Sequence, residues 1–183
     1  MAKTALLLID FQNDYFQDGM WQLVGTEAAA GQGAKLLAAF REKSMPVFHV
    51  RHEFPTDDAP FFLPGSEGAQ IHASVAPQSG EPVVLKHQVN SFRDTELKAL
   101  LDEQGVEHLV IAGAMSHMCI EAGARAATDY GYQVSVAHDA CATLELNFEG
   151  KTIAAADVHN ACMAALSFAC GRVASTDELL ADL

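Results

Sequence analysis

Three residues of this 183-residue sequence have side chains that together could hydrolyse a small molecule: Cys119, Asp10 and Lys86. A cysteine thiolate is a strong nucleophile. A carboxylate can carry protons between reacting groups, and an ammonium group favours the charged form of a neighbouring anion. Each of the three residues stands at or just after the end of a short apolar run, which is where the sequence predicts that buried strands end.

The position of Cys119 strengthens this interpretation. Ser116 is predicted to be the N-cap of a helix, so Cys119 would be its third residue, close to unpaired backbone N–H groups at the positive helix end. That position, with Lys86 nearby, predicts a sulfur that favours the thiolate. Asp10 could hold Lys86 and move a proton to a leaving amine, while the backbone N–H groups of Met115 and Cys119 could receive an oxyanion.

The elements that must bring these residues together alternate between strand and helix. Near-continuous apolar runs predict strands at 5–9, 46–50, 83–85, 108–112, 132–137 and 172–174, and helical spacing predicts helices at 26–43, 95–104, 116–130, 152–169 and 177–180. This alternation predicts an α/β fold in one domain, residues 1–183: a doubly wound six-stranded parallel sheet in a Rossmann-like three-layer sandwich. We predict the strand order 3-2-1-4-5-6, with helices on both faces. Ligands of such sheets bind at the carboxyl ends of the strands, where Asp10, Lys86 and Cys119 are expected.

The segment from Arg51 to Pro82 interrupts this alternation and contains five of the six prolines. A loop of this length is often a lid or a binding loop. Phe61, Phe62 and Leu63 could close over the site or pack against a neighbouring subunit. The alternative is an irregular excursion that is packed by its own aromatic side chains.

Composition excludes several classes of partner. The net charge of −13, from 24 acidic and 11 basic residues, argues against binding to nucleic acid or to anionic membranes. No apolar stretch approaches the roughly 20 residues of a membrane span, and the N-terminal run is too short for a signal peptide. None of the four cysteines forms a C-x-x-C pair, so free thiols and a cytoplasmic location are expected. No glycine-rich phosphate-binding motif occurs, so no cofactor is expected.

Three blocks of sequence resemble the isochorismatase-like hydrolase superfamily, and the resemblance extends over nearly the whole chain. The blocks read Leu-Leu-Ile-Asp10-Phe-Gln12-Asn13-Asp14, Val-Leu-Lys86-His-Gln-Val-Asn-Ser-Phe92 and Val-Ile-Ala-Gly113-Ala-Met-Ser-His-Met-Cys119-Ile-Glu. The later Asp139-Ala140-Cys141-Ala142-Thr143 is similar as well. Because the blocks occur in the family's order and spacing, the match is specific.

The resemblance implies an Asp-Lys-Cys catalytic triad at Asp10, Lys86 and Cys119. It also implies a cis peptide at Ala114–Met115 that helps to build the oxyanion site. Family members hydrolyse small amides, ureas or carbamoyl compounds and form dimers, tetramers or larger rings. A small amide-like substrate and a homo-oligomer, dimer or tetramer, are therefore expected for this chain.

Two departures from the family's patterns shape the functional prediction. Siderophore-pathway isochorismatases lack the cysteine and cleave a vinyl ether, so Cys119 favours C–N hydrolysis through a thioester. Nicotinamidases of this fold carry a metal site on an Asp-x-His pattern, which is missing here from His49-Val50-Arg51-His52-Glu53. We therefore predict no metal and structural roles for His49 and His52, although an incidental metal stays open.

Residues of the substrate pocket are predicted from their position near the strand ends. The candidates are Gln12, Phe16, Trp21, Phe92 and His117. Gln12 could bond to an amide or carbonyl, and Trp21 and Phe92 could form an apolar wall. Two alternatives to amide hydrolysis remain: an isochorismatase-type ether hydrolase in which Cys119 is incidental, and a non-catalytic oligomeric module that binds a partner through the Phe61–Phe62 loop.

Overall fold

A six-stranded parallel sheet forms the centre of the computed structural model, which describes residues 3–183. Its strands are β1 (Thr4–Ile9), β2 (Val47–His52), β3 (Val83–Lys86), β4 (His108–Ala114), β5 (Gln133–Ala142) and β8 (Arg172–Ala174). They lie in the order β3-β2-β1-β4-β5-β8, and every neighbouring pair is parallel. Since β8 is the sixth strand of the sheet along the chain, the predicted order 3-2-1-4-5-6 is confirmed.

Helices cover both faces of the sheet. They are α1 (Thr26–Glu42), α2 (Leu97–Glu103), α3 (Glu121–Asp129), α4 (Ala155–Ala169) and α5 (Thr176–Ala181). Alternate residues of β1 enter two separate cores: Leu6 and Leu8 pack with α1 and α5, whereas Leu7 and Ile9 pack with α2, α3 and α4. Burial on both sides explains why the strands have no polar alternation.

The structure corrects the predicted elements at two places. The predicted helix 152–169 begins only at Ala155, because the preceding residues form an antiparallel hairpin of β6 (Leu146–Phe148) and β7 (Lys151–Ile153). The predicted helix 116–130 begins with a π-helical turn, Ser116–Ile120, whose N-cap is Met115 rather than Ser116. The Ser116 hydroxyl bonds instead to the Ala142 carbonyl at 3.3 Å.

The segment between β2 and β3 is irregular apart from one short 3-10 turn, Ala73–Val75. Its aromatic residues are nonetheless packed: Phe61 and Phe62 are buried, and their rings contact each other and Tyr15. None of the helices in residues 3–183 has the length and hydropathy that crossing a lipid bilayer requires.

Candidate active site

Three strand ends carry the predicted triad to one edge of the sheet. Asp10 directly follows β1, Lys86 is the last residue of β3, and Cys119 lies in the π-helical turn after β4. Asp10 has a left-handed backbone (φ 54°), a conformation that Asp tolerates better than most residues. Gly113 lies beside the end of β1, where a Cβ atom would come within 1.9 Å of the Ile9 carbonyl oxygen. A glycine at this position therefore lets β4 approach β1 closely enough to bring Asp10 and Cys119 together.

Lys86 is the centre of the site. Its Nζ atom lies 2.8 Å from Asp10 Oδ2, 3.2 Å from Cys119 Sγ and 3.1 Å from His52 Nδ1. Asp10 and Lys86 are fully buried, and Cys119 is 6% exposed. An ammonium group has three N–H donors, so these three contacts use its whole hydrogen-bonding capacity.

Burial determines the protonation of the triad. Together with the negative charge of Asp10, it raises the pKa of the Cys119 thiol to about 12, although Lys86 opposes this shift. Burial also raises the pKa of Asp10 against the effect of Lys86. For Lys86 itself the effect of burial is outweighed by the charges of Asp10 and Cys119, and its pKa is raised.

These shifts correct one prediction. The turn and Lys86 were expected to favour the Cys119 thiolate, but desolvation outweighs both, and Cys119 is a thiol in the resting protein. Lys86 stays an ammonium ion, and burial increases the affinity of the Asp10 carboxylate for a proton. The site is therefore suited to pass the thiol proton to Asp10 during a reaction.

A cavity of about 270 Å³ opens over Cys119. Its walls combine a few polar groups with a larger apolar surface, and the lining residues are Asp10, Tyr15, His52, Phe54, Phe61, His87, Gln88, Val89, Met115, Met118 and Cys119. A space of this size, mostly apolar and with a few polar groups, suits a small organic molecule.

The loop between β2 and β3 supplies one wall of this cavity. The Phe61 ring contacts Phe54 at 5.2 Å between centroids and Tyr15 at 5.6 Å. Asp14 fixes the loop from beneath, because its Oδ2 atom accepts a hydrogen bond of 2.6 Å from the Phe62 backbone N–H. The predicted approach of this loop to the site is thus present, as a packed aromatic wall.

The five predicted substrate contacts have other surroundings, and the geometry does not support their predicted role. Gln12 is fully buried, and its amide is bonded on both sides: Nε2 donates to the carbonyls of His52 and Ala69, and Oε1 accepts from the His52 N–H. Gln12 therefore holds the end of β2 instead of presenting a free amide to a ligand.

The other four lie away from the cavity lining. The Phe16 ring stacks on His72, and the Trp21 ring stacks on the outer wall residue Phe61. Phe92 belongs to the core on the α2–α3 face, where its ring packs against Tyr132 and the more exposed Tyr130. The Nδ1 atom of His117 bonds to Thr143 Oγ1 at 2.7 Å. Sequence position placed these residues near the right strand ends but could not tell which way their side chains point.

The polar wall residues that sequence position alone did not assign to the pocket are Tyr15, His52, His87 and Gln88. Tyr15 directly follows the first block, which ends at Asp14, and His87 follows Lys86 directly, so closeness to these blocks was an available signal. His52 was predicted to be structural. Its contact with Lys86 depends on the pairing of β2 with β3, in which His52 lies opposite Lys86.

His49 and the potential metal ligands have a separate explanation. His49 Nε2 lies 3.0 Å from Glu81 Oε2, in an ion pair that also includes Arg41. Within residues 3–183, no group of three or more His, Cys, Asp or Glu residues is arranged to hold a metal ion. All four cysteines are free thiols.

Comparison with known proteins identifies the family to which this fold belongs. The model of the isochorismatase domain matches residues 4–178. The chain belongs to the isochorismatase family. The uncharacterized isochorismatase family protein YddQ of Bacillus subtilis is 49% identical, over 97% of this chain and 98% of its own length.

Other relatives of this isochorismatase-family chain agree in fold and class. The crystal structure of a proposed isochorismatase hydrolase from Oleispira antarctica superposes with a TM-score of 0.96 at 67% identity, covering 98% of this chain and 97% of its own. Maleamate amidohydrolase of Pseudomonas putida is 35% identical over 75% of this chain and 71% of its own length. The predictions of the superfamily, the fold and an enzyme of this hydrolase class are confirmed. The Ala114–Met115 peptide, which the resemblance implies to be cis, is cis in this structure.

Proposed function

We propose that this isochorismatase-family chain is a cysteine hydrolase that cleaves the C–N bond of a small amide, urea or carbamoyl compound through a thioester on Cys119. The observation that carries the proposal is the geometry at Lys86, which holds Asp10 at 2.8 Å and Cys119 at 3.2 Å at the base of the cavity. Nucleophile, proton carrier and countercharge are thereby in mutual reach.

In the first half-reaction, Cys119 Sγ attacks the carbonyl carbon of the substrate and its thiol proton passes to Asp10. The carbonyl π electrons move to oxygen, and we assign the backbone N–H groups of Met115 and Cys119 to bind this oxyanion. When the tetrahedral intermediate collapses, the C–N bond breaks and the amine leaves with the proton from Asp10. The thioester remains on Cys119.

The second half-reaction reverses the proton movements. Water attacks the thioester carbonyl and gives its proton to Asp10, after which the C–S bond breaks and Asp10 returns the proton to the sulfur. Lys86 keeps its proton throughout, because its raised pKa makes it a permanent countercharge. Asp10 therefore carries one proton in each half-reaction, from the thiol to the amine and then from water to the sulfur.

The relatives support the bond type. Maleamate amidohydrolase acts on an amide by its name, and it shares 35% identity with this chain. The cavity supports a small substrate, since about 270 Å³ leaves no room for a polymer.

A screen of small amides, ureas and carbamoyl compounds tests the proposal, with intact-mass detection of an acyl adduct. We expect an adduct on Cys119 and release of the amine in the wild type, and loss of both in Cys119→Ala. The matched control is Cys170→Ala, which removes a thiol distant from the cavity and should leave turnover unchanged. Turnover that survives in Cys119→Ala would refute covalent catalysis.

A further inference from the structure

His52 is a fourth polar group in direct contact with the centre of the site. It is the last residue of β2 and is 7% exposed, with its ring packed edge-on against Phe54 at 4.7 Å between centroids. Gln12 fixes the backbone of His52 from both sides, through bonds of 2.7 Å to its carbonyl and its N–H. The imidazole is therefore held rigidly against the cavity.

The contact with Lys86 determines the tautomer of this ring. An ammonium group can only donate hydrogen bonds, so His52 Nδ1, at 3.1 Å from Lys86 Nζ, must be the acceptor. The proton of the neutral imidazole is then on Nε2. The ring is neutral, because burial and the positive charge of Lys86 lower the pKa of His52 to about 3.

The resulting Nε2–H donor is buried without a partner. The Gln88 backbone carbonyl lies near the ring, yet no acceptor in residues 3–183 meets hydrogen-bond geometry with Nε2. A buried unpaired donor costs about 1–3 kcal/mol. The Nε2 atom itself has almost no exposed surface, but the ring lines the cavity, so a ligand that displaces the adjoining wall residues can supply the missing acceptor.

We infer that His52 Nε2–H binds a second, uncharged acceptor of the substrate, such as a carbonyl oxygen next to the scissile amide. The inference rests on the proposed function. The scissile carbonyl oxygen is assigned to the backbone N–H groups of Met115 and Cys119, so the acceptor for His52 must be another atom.

The charges in the cavity wall favour a neutral acceptor over an anionic one. Among the described residues that line it, none is Arg or Lys, and the Asp10 carboxylate is part of the wall. All donors of Lys86 are already engaged. A substrate carboxylate would thus meet a negative charge without a free cation, whereas an amide or urea carbonyl would satisfy His52 at no such cost.

Alkylation of Cys119 tests the inferred role of His52 as a hydrogen-bond donor, and it needs no known substrate. Iodoacetamide, iodoacetate and 1-iodopropane each form an S–C bond and release iodide while the thiol proton goes to solvent. Iodoacetamide attaches a neutral carbonyl group, iodoacetate attaches a carboxylate, and 1-iodopropane attaches a chain without a hydrogen-bond acceptor. Rates at Cys119 are measured by peptide mass at pH 9 and divided by the rate with glutathione.

We expect the normalised rate for iodoacetamide to be about five times that for 1-iodopropane, which corresponds to one neutral hydrogen bond. It should be about ten times that for iodoacetate. His52→Asn keeps an acceptor near Lys86 but loses the deep donor, so the normalised rates for iodoacetamide and 1-iodopropane should become equal. His52→Gln places an amide N–H near the Nε2 position and should retain the preference. A residue that only supports the fold would slow all three reagents alike.

Several results would overturn the inference. A wild type without preference, or a preference that survives in His52→Asn, would remove His52 from substrate binding while leaving Cys119 as the nucleophile. A preference for iodoacetate would assign the cavity to an anion, with His87 as the group to examine. If Cys119 reacted with none of the three reagents, the proposed function would be refuted as well.

The tautomer is tested separately in the wild type by ¹⁵N NMR of the histidine rings. We expect His52 to be protonated at Nε2 and unprotonated at Nδ1 from pH 6 to pH 9. A proton on Nδ1 would overturn the inference whatever the variants show.

Discussion

The two histidines of strand β2 belong to two clusters of charged residues that have different surroundings. The active-site cluster consists of Asp10, Lys86, His52 and Cys119. The scaffold cluster consists of Glu81, Arg41 and His49. Each contains a carboxylate, a cation and an imidazole within hydrogen-bond distance.

The two carboxylates respond to these surroundings in opposite ways. Glu81 accepts two bonds of 2.7 Å from Arg41, one of 2.8 Å from the Gln78 N–H and one of 3.0 Å from His49. Burial would raise its pKa, but these donors outweigh burial and lower the pKa to about 2. Asp10 is fully buried with the Lys86 ion pair, and its pKa is raised.

The difference shows what makes a buried carboxylate reactive. Glu81 has donors on both oxygens, so protonation would break several bonds and the group stays an anion. Asp10 has fewer donors and more burial, so it can accept a proton at modest cost. The number of donors around the carboxylate, rather than the residue types present, separates the site from the scaffold.

The largest expected effect follows from removing the proton carrier. Asp10→Asn keeps the shape of the side chain but cannot accept the thiol proton, so the rate of acyl-adduct formation on Cys119 should fall about 10³-fold, within the range for general acid–base catalysis. Glu81→Gln is the matched control in the scaffold cluster and should change this rate less than about twofold. Equal losses in the two variants would erase the distinction between the clusters.

The same variant should have the opposite effect on simple alkylation. Asp10→Asn removes the negative charge that raises the pKa of Cys119, while Lys86 still favours the thiolate. The rate of Cys119 alkylation by iodoacetamide at pH 7.5 should therefore rise, by about tenfold, the equivalent of one pKa unit. The wild-type rate should keep increasing up to pH 10 and beyond. A slower reaction in Asp10→Asn would mean that Asp10 already holds the thiol proton at rest.

The sequence predicts the triad because each member is tied locally to a strand. Asp10 directly follows one apolar run, Lys86 ends another and Cys119 lies in the first turn after a third, and the carboxyl ends of parallel strands meet at one edge. No knowledge of loop conformation is needed. The strand order and the family blocks then leave little freedom for where these residues meet.

The cavity wall could not be predicted in the same way. Phe61 and His52 reach it through the packing of an irregular loop and the register of two strands, which residue types do not encode. The hairpin before α4 was missed because its turn places Glu149 and Gly150 at positive φ, and Glu gives no signal for such a turn. The pKa of Cys119 was misjudged because burial is a property of the whole fold.

The scaffold cluster should contribute to the free energy of unfolding, and this contribution should depend on pH. Glu81→Gln replaces charge-assisted bonds by weaker ones and should lower the free energy of unfolding by about 2 kcal/mol at pH 7. Because the folded pKa of Glu81 is about 2 and the ordinary value is 4.5, this contribution is complete above about pH 5 and is lost as the pH falls towards 2. Urea unfolding at pH 7, 4 and 3 should show the two proteins converging in acid. A difference that stays constant with pH would assign the loss to packing.

The smallest effect distinguishes the two cations. Arg41 binds both oxygens of Glu81 and also donates from Nη2 to the Ala76 carbonyl at 2.8 Å, a planar pattern that a lysine ammonium cannot reproduce. Arg41→Lys should therefore lower the free energy of unfolding by about 1 kcal/mol, measured by urea unfolding at pH 7, without affecting Cys119 acylation. Lys86, in contrast, needs three divergent donors for Asp10, His52 and Cys119, a geometry that the planar guanidinium of an arginine does not offer. If Arg41→Lys slowed acylation, the two clusters would be coupled through β2, and the independence of site and scaffold would have to be abandoned.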